Sequence, residues 1–265
     1  MGVRERLYLQ MSTCNLIIDE PPHSGAWNMA VDEALLEAAV DGAGAVLRWY
    51  QWEAATLSLG YFQKSDDLPT TDKQWSALPV VRRLSGGGAI LHHHELTYSC
   101  ALPASHPLTN DPYQIYLAMH KAVIDVLRPM GFDVRLRAAR FGKDGPAEAF
   151  LCFSRGDEMD VVFGTDKVLG SAQRRRRGAV LQHGSLVLRR SEFAPQFPGL
   201  FELAPEVDQR ELQPALALAT AGVLGEVVVT ERFDAPIMRR AQALHDEKYT
   251  KLEWSRSNPL TTAPH

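Results

Sequence analysis

The sequence has only three cysteines in 265 residues, Cys14, Cys100 and Cys152. Their odd number and the lack of any C-x-x-C spacing speak against a disulfide framework or a zinc knuckle. No stretch approaches the roughly 18 consecutive apolar residues of a membrane span. The start, Met1–Arg6, carries no apolar run of the signal-peptide kind, so a cytoplasmic protein with no membrane partner is expected. Neither charge sign dominates: 28 Lys+Arg face 32 Asp+Glu, a net charge of −4, which disfavours a chain built mainly to hold nucleic acid. Common catalytic signatures are missing too. There is no G-x-x-x-x-G-K-[ST]; Gly42-Ala43-Gly44 meets Leu47 where a dinucleotide fingerprint needs glycine; His94-Glu95 meets Tyr98 where a zinc protease needs histidine. Ser85 follows Arg83 and Leu84, so it is no serine-hydrolase elbow.

What is present is an ordinary globular composition, 45% hydrophobic and 23% charged. We expect one domain over 1–254 and a polar tail over 255–265, with 138–151 and the tail as the mobile parts. Val31, Leu35, Ala38 and Ala39 recur at helical spacing behind Ser24 and Asn28 as candidate caps. Asp111-Pro112 opens a second helix to about Met130, with Tyr116, Met119, Val123, Val126 and Leu127 as its stripe and Gly131 as its stop. Weaker helical patterns cover 209–224 and 235–248. Apolar runs at Ala45–Tyr50, Thr56–Leu59, Pro79–Leu84, Ala89–His92, Leu96–Leu102 and Val180–Leu188 predict strands, and Asp160–Leu169 a hairpin. Strands grouped in meanders, with helices at intervals, predict a mixed α+β fold with helices packed on one side of a sheet.

Three segments carry candidate chemistry. Arg82-Arg83-Leu84-Ser85-Gly86-Gly87-Gly88-Ala89 runs from one predicted strand into another. Its glycines would let backbone N–H groups approach an anion or carbonyl; the bland alternative is a flexible turn between solvated arginines. His92, His93 and His94 follow. Alternating strand positions point to opposite faces, so no shared metal is expected; the phase set by Ile90 puts His92 and His94 on one face and His93 on the other. Lys167 opens a strand ahead of Gly170-Ser171-Ala172-Gln173, where a buried amine would meet an acyl carbonyl or phosphate, unless it is a solvated hairpin lysine. Cys152, in the apolar run Phe150–Phe153, reads by default as an inert buried thiol; a nucleophilic role would need a cation nearby. Cys14 and Cys100 read as core.

Taken in order, several segments resemble the lipoate–protein ligase and octanoyltransferase superfamily, whose catalytic domain shares its fold with biotin protein ligases. They are Ser24–Leu36, Leu47–Trp52, Ser58–Gln63, Arg82–His92, Lys167–Gln173, Gln182-His183-Gly184-Ser185 and Glu247-Lys248-Tyr249. The resemblance implies a mixed, mostly antiparallel sheet flanked by helices. It further implies an acyl transfer of the LipM type, moving octanoate (or a lipoyl group) from acyl carrier protein through a Cys152 thioester to a lipoyl-domain lysine. The acceptor would be a glycine-cleavage protein or a dehydrogenase subunit, and no cofactor would be needed. Cys152-Phe153 and Glu95-Leu96-Thr97-Tyr98-Ser99 are similar to the transferase pattern; Gly86-Gly87-Gly88 is equally ligase-like, and His93-His94 departs from the usual acidic residue. The alternatives are an ATP-dependent lipoate–protein ligase, needing ATP and magnesium and working through an acyl-adenylate, and a non-catalytic homologue that binds carrier proteins.

By the same resemblance, Cys152 and Lys167 are catalytic, Lys167 contacting the acyl carbonyl and favouring the thiolate. Arg83, Ser85, Gly86, Gly87, Gly88, His92, Gly170, Ser171, Ala172, Gln173, His183 and Gly184 are expected to bind substrate, the glycine segments lining an acyl tunnel. Arg174, Arg175, Arg176 and Arg177 form the steepest local charge in an acidic chain. Either they dock an acidic carrier protein or they decorate a solvated hairpin loop.

Overall fold

The computed structural model describes residues 12–64, 73–137, 150–154, 156–204 and 211–256. Ser24 opens the first helix, α1 (Gly25–Val40), by accepting a hydrogen bond from the Trp27 N–H at 3.3 Å. Asn28 is not a cap; it lies one turn inside, buried. The second helix, α2 (Pro112–Leu127), begins where Asp111 accepts from the Tyr113 N–H at 2.9 Å. It ends three residues before the expected Met130, because the chain tightens into a turn that closes at Gly131, whose φ is +96°. Two further helices, α3 (Leu212–Gly222) and α4 (Ala235–Leu244), fall on the weaker patterns.

Among the described residues there are eleven strands, β1 (Thr13–His23), β2 (Ala45–Trp52), β3 (Thr56–Leu59), β4 (Val80–Arg82), β5 (Ile90–His92), β6 (Glu95–Leu102), β7 (Val134–Leu136), β8 (Val161–Phe163), β9 (Asp166–Arg176), β10 (Ala179–Val187) and β11 (Glu226–Val229), of which all but β1, β7 and β11 fall on the predicted runs and hairpin. Eight form one sheet in the order β11-β1-β2-β6-β10-β9-β8-β7, parallel at β11-β1-β2 and antiparallel beyond. A small second sheet, β4-β3-β5, carries the arginine–glycine segment.

Helices cover both faces of the large sheet, which corrects the expectation of one side. Leu47, Trp49 and Tyr98 pack with Met119 of α2 and Leu216 of α3, whereas Val46, Tyr50 and Leu181 pack with Leu35 of α1 and Leu244 of α4. Neighbouring residues of β2 thus point to opposite cores, and β2 is buried along both faces. Cys14 and Cys100 are core, as expected. The expectation of mobility for 138–151 falls, up to residue 149, outside the described residues, as does the tail from 257. Among the described residues no helix is long and apolar enough to cross a membrane.

Candidate active site

The three glycines let another chain segment lie directly against them. Ala89 N–H donates to Phe150 O at 2.9 Å and Cys152 N–H donates to Ala89 O at 2.7 Å. A Cβ on Gly88 would stand 3.0 Å from Phe150 O and 3.2 Å from Cys152 N, so only glycine permits this approach without a shift. Gly87, at φ +94°, turns its Cα toward the thiol: a Cβ there would lie 3.9 Å from Cys152 Sγ. Cys152 starts a short 3-10 turn and is half-buried at the wall of a cavity of about 320 Å³. Of the residues read from sequence as catalytic or substrate-binding, all but Ser85 and Gly88 line that cavity. Met29, Trp52, Ile90, Tyr116 and Phe153 complete it with apolar surface the sequence reading did not assign.

Lys167 reaches the same cavity from the start of β9. It is buried, ion-paired with Asp160 at 2.9 Å, and its ammonium sits 5.1 Å above the Phe153 ring. A Cβ on Gly170 would come 2.7 Å from Lys167 Nζ, so this glycine leaves the space that the lysine head occupies. Burial pushes the Asp160 carboxyl up, with Lys167 opposing it. The bland alternative of a solvated hairpin lysine is thereby removed.

Two hydrogen-bond relays run behind the glycine segment and meet at Arg83. In one, Asp32 Oδ2 lies 3.1 Å from His183 Nδ1, and His183 Nε2 lies 2.5 Å from Ser85 Oγ. In the other, Glu95 Oε1 lies 2.7 Å from His92 Nδ1, and His92 Nε2 lies 2.7 Å from Ser58 Oγ. Arg83 donates Nε to Ser85 Oγ and Nη1 to Ser58 Oγ, each at 3.2 Å. Both serines accept from the arginine and lie against an imidazole, and neither lines the cavity, so they are not nucleophiles despite their Ser–His–acid order. Burial lowers the His92 imidazole, with Glu95 opposing. Burial acts to raise the Glu95 carboxyl, yet His92 with the Ser185 and Thr97 hydroxyls outweighs it and holds the carboxyl below its ordinary range. Trp52 stacks on His92, centroids 3.8 Å apart, and both line the cavity.

A third chain of polar groups reaches the cavity through Ser171 and Gln173. Gln173 donates to Gln182, Gln182 donates to the Tyr98 hydroxyl, and that hydroxyl meets Ser171 Oγ at 2.8 Å. Ser171 Oγ in turn lies 2.6 Å from His120 Nε2, whose Nδ1 faces Met159 O. His120, Tyr98, Asp32, Asp160 and Ser58 are site-building residues that sequence reasoning missed as such; all but Asp160, which meets Lys167 within one hairpin, meet their partners only across the fold.

This arrangement of a glycine segment, a cavity thiol and a buried lysine coincides with a known domain. Residues 24–197 match the family model of the lipoyl protein ligase A/B catalytic domain. The chain belongs to that family. It is 39% identical over 175 residues to octanoyltransferase LipM of Carboxydothermus hydrogenoformans, a match covering 65% of this chain and 64%, less than two thirds, of that protein. It is 33% identical over 219 residues to octanoyltransferase LipM of Lysinibacillus sphaericus, covering 79% of each. In fold it is similar to a lipoate-protein ligase A bound with ATP, at a TM-score of 0.74 and 21% identity over 92% of this chain and 99% of that one. The bi-partite lipoate protein ligase of Thermoplasma acidophilum, described with its E2 lipoyl domain, superposes at 0.71 with 21% identity, covering 93% and 97%. The family resemblance read from the motifs is borne out.

Two expectations about this lipoyl ligase-type domain are corrected. Strand β5 ends at His92, which faces the cavity, so alternation stops there and His94 does not share its face. Instead His93 and His94 stack on each other, centroids 3.6 Å apart, beside Glu192 and off the cavity wall. The arginine run is not four free cations in a loop either, since β9 extends to Arg176. Arg174 stacks on Tyr61 at 4.7 Å, Arg175 donates to Thr109 O, and Arg176 pairs with Glu33 and Glu37 at 3.4 and 3.5 Å. Arg177 occupies the tight turn at φ +50°.

Proposed function

We propose that this domain, over 1–254, is an octanoyltransferase of protein lipoylation with Cys152 as its nucleophile. The observation that carries the reading is the shared cavity, lined by a half-buried thiol beside Gly87, a buried lysine and apolar side chains. The Cys152 thiolate attacks the carbonyl carbon of an octanoyl thioester on acyl carrier protein. A new C–S bond forms, and the carrier's sulfur leaves and takes up a proton. The amine of a lipoyl-domain lysine then attacks the Cys152 thioester; a C–N bond forms, the Cys152 C–S bond breaks, and the amine's proton is released. Thioester exchange is near isoenergetic and the final amide is more stable, so the sequence of steps needs no ATP and no metal.

Lys167 is placed to contact the acyl oxygen as charge develops on it, with the backbone N–H groups of the glycine segment as further donors. Met29, Trp52, Ile90 and Phe153 give the octanoyl tail an apolar bed, worth up to about 0.8 kcal/mol per buried methylene. The LipM relatives support octanoyl transfer, and the Thermoplasma ligase described with its lipoyl domain supports an acceptor of that kind. The arginine end of β9 is the surface we assign to an acidic carrier, through Arg175 and Arg177, the exposed members of the run.

Incubation with octanoyl-acyl carrier protein and a lipoyl domain, without ATP, tests the reading. Acylation of the lipoyl domain that is lost in Cys152→Ser supports it. Acylation only from free octanoate or lipoate once ATP and magnesium are added would make the chain a ligase, and carrier binding with no transfer would make it a non-catalytic homologue.

A further inference from the structure

We propose that His93, His94 and Glu192 form a binding site for a divalent transition-metal ion of the zinc class, which clips the turn between β5 and β6 to the loop after β10. Because β5 ends at His92, the two histidines that follow lie in a turn. The alternation of faces that keeps neighbouring strand residues apart, and that made a shared metal unexpected, does not apply to them. Their rings stack, centroids 3.6 Å apart. Glu192 arrives from far along the chain and brings its Oε2 to 3.6 Å from His93 Nδ1. One ligating atom from each of the three lies within 4.8 Å of the other two, and among the described residues no other three histidine, cysteine or carboxylate groups converge in this way. A tetrahedral zinc site, with bonds of about 2.0 to 2.2 Å, sets neighbouring ligand atoms about 3.4 Å apart. The His94 and Glu192 side chains are exposed, and rotation about their χ angles closes the difference.

The segments that carry the three side chains are already fixed. Leu188 and Arg189 N–H both donate to His94 O, at 2.9 and 3.1 Å, and His93 Nδ1 lies 3.0 Å from Ser191 Oγ. On either side of Glu192, Ser191 Oγ accepts from the Phe193 N–H at 3.2 Å, and Phe193 O accepts from the Trp75 indole at 2.7 Å. An ion therefore orders side chains alone, which keeps the entropic cost of binding low. The donor set picks the class of ion: two imidazoles and a carboxylate suit zinc and its neighbours, whereas magnesium and calcium take oxygen ligands. Glu95, on the same turn, does not join the set, because its oxygens are taken by His92, Thr97 and Ser185. Three protein ligands leave the fourth position to water. None of the three lines the acyl cavity, so the ion stands outside the chemistry of Cys152 and acts as a clip. The clipped loop runs on to Phe197, whose ring lies 6.0 Å from that of Phe153 on the cavity wall.

The test is zinc binding to the full chain, read by competition with a chromophoric chelator and, separately, by the shift in thermal unfolding. Cys152→Ser is measured alongside, because a cavity thiol is itself a zinc ligand. One ion per chain should bind to wild type and to Cys152→Ser alike. Loss of a group that merely orients a ligand costs roughly 10–100-fold in affinity, so His94→Ala and Glu192→Ala should each weaken binding by about tenfold or more. Both side chains are exposed, so these variants are expected to fold as wild type does. Zinc should raise the Tm of wild type and leave that of the double variant His94→Ala with Glu192→Ala unmoved. No binding at micromolar zinc overturns the proposal, as does binding that persists in the double variant or that vanishes in Cys152→Ser. No acyl donor takes part, so the outcome is independent of whether the chain transfers octanoate.

Discussion

Lys167 Nζ lies 2.9 Å from Asp160 Oδ1, and both side chains are buried, one at the start of β9 and the other just ahead of β8. Removing one partner of such a pair leaves the other charge without compensation, which typically costs 3–5 kcal/mol, roughly, whereas removing both costs less. Asp160→Asn is therefore expected to be more destabilising in urea than the double change Asp160→Asn with Lys167→Met. Equal losses would mean the two side chains act independently.

Acid should weaken the fold through His120. Burial lowers this imidazole to about 4 from its ordinary 6.5, so between those values the unfolded chain binds a proton that the folded chain refuses. Stability present above pH 6.5 is then lost as pH falls toward 4, at about 1.4 kcal/mol per pH unit for this group. His92 and His106 are also lowered by burial and add to the wild-type slope. The difference between wild type and His120→Gln, measured by denaturation at several pH values, isolates the His120 share. Parallel curves would contradict it.

Gly88 is predicted to be far less replaceable than Gly86. Its missing side chain is what admits Phe150 O and the Cys152 backbone, with a Cβ meeting them at 3.0 and 3.2 Å, whereas a Cβ on Gly86 would meet nothing within 4 Å. Gly88→Val should depress Cys152 alkylation and acyl transfer by tenfold, in order of magnitude about 1.4 kcal/mol, while Gly86→Ala should leave the fold and the thiol's reactivity close to wild type. Alkylation rates measured side by side check both.

The arginines at the end of β9 differ in what they are committed to and in how far they reach solvent. Arg174 and Arg176 are committed to Tyr61 and to Glu33 with Glu37, while Arg175 and Arg177 are exposed. Replacing Arg175 and Arg177 by Ala should raise the KM for carrier-bound octanoate at low salt and leave the chemical step unchanged. An unchanged KM at low salt would remove this surface from carrier docking.

Much of the fold was legible because its strands are short apolar runs bounded by Gly and Pro, as Thr56–Leu59 and Ala45–Trp52 show. Strand β1 was not, since Asp19-Glu20-Pro21-Pro22 reads as punctuation, yet the chain stays extended through it to pair with β2. The helices' placement on both sheet faces was equally hidden, because the alternation within β2 is apolar on both sides and gives no outward face. In the site, motif residues such as His183 and Lys167 could be named, but not their partners. Asp32 lies on α1 and reaches His183 on β10, and His120 sits next to the apolar stripe of α2 with nothing in its own helix to mark it as a partner of Ser171. Such pairings are properties of the sheet order, which no local pattern encodes.

The central claim is that Cys152 carries the acyl group, and the most direct measurement is the intact mass of the chain after mixing with octanoyl-acyl carrier protein in the absence of ATP. The account predicts a gain of a single octanoyl group that hydroxylamine removes and that never forms in Cys152→Ser. An adduct that survives in Cys152→Ser, or no adduct in a folded wild-type chain, would contradict it.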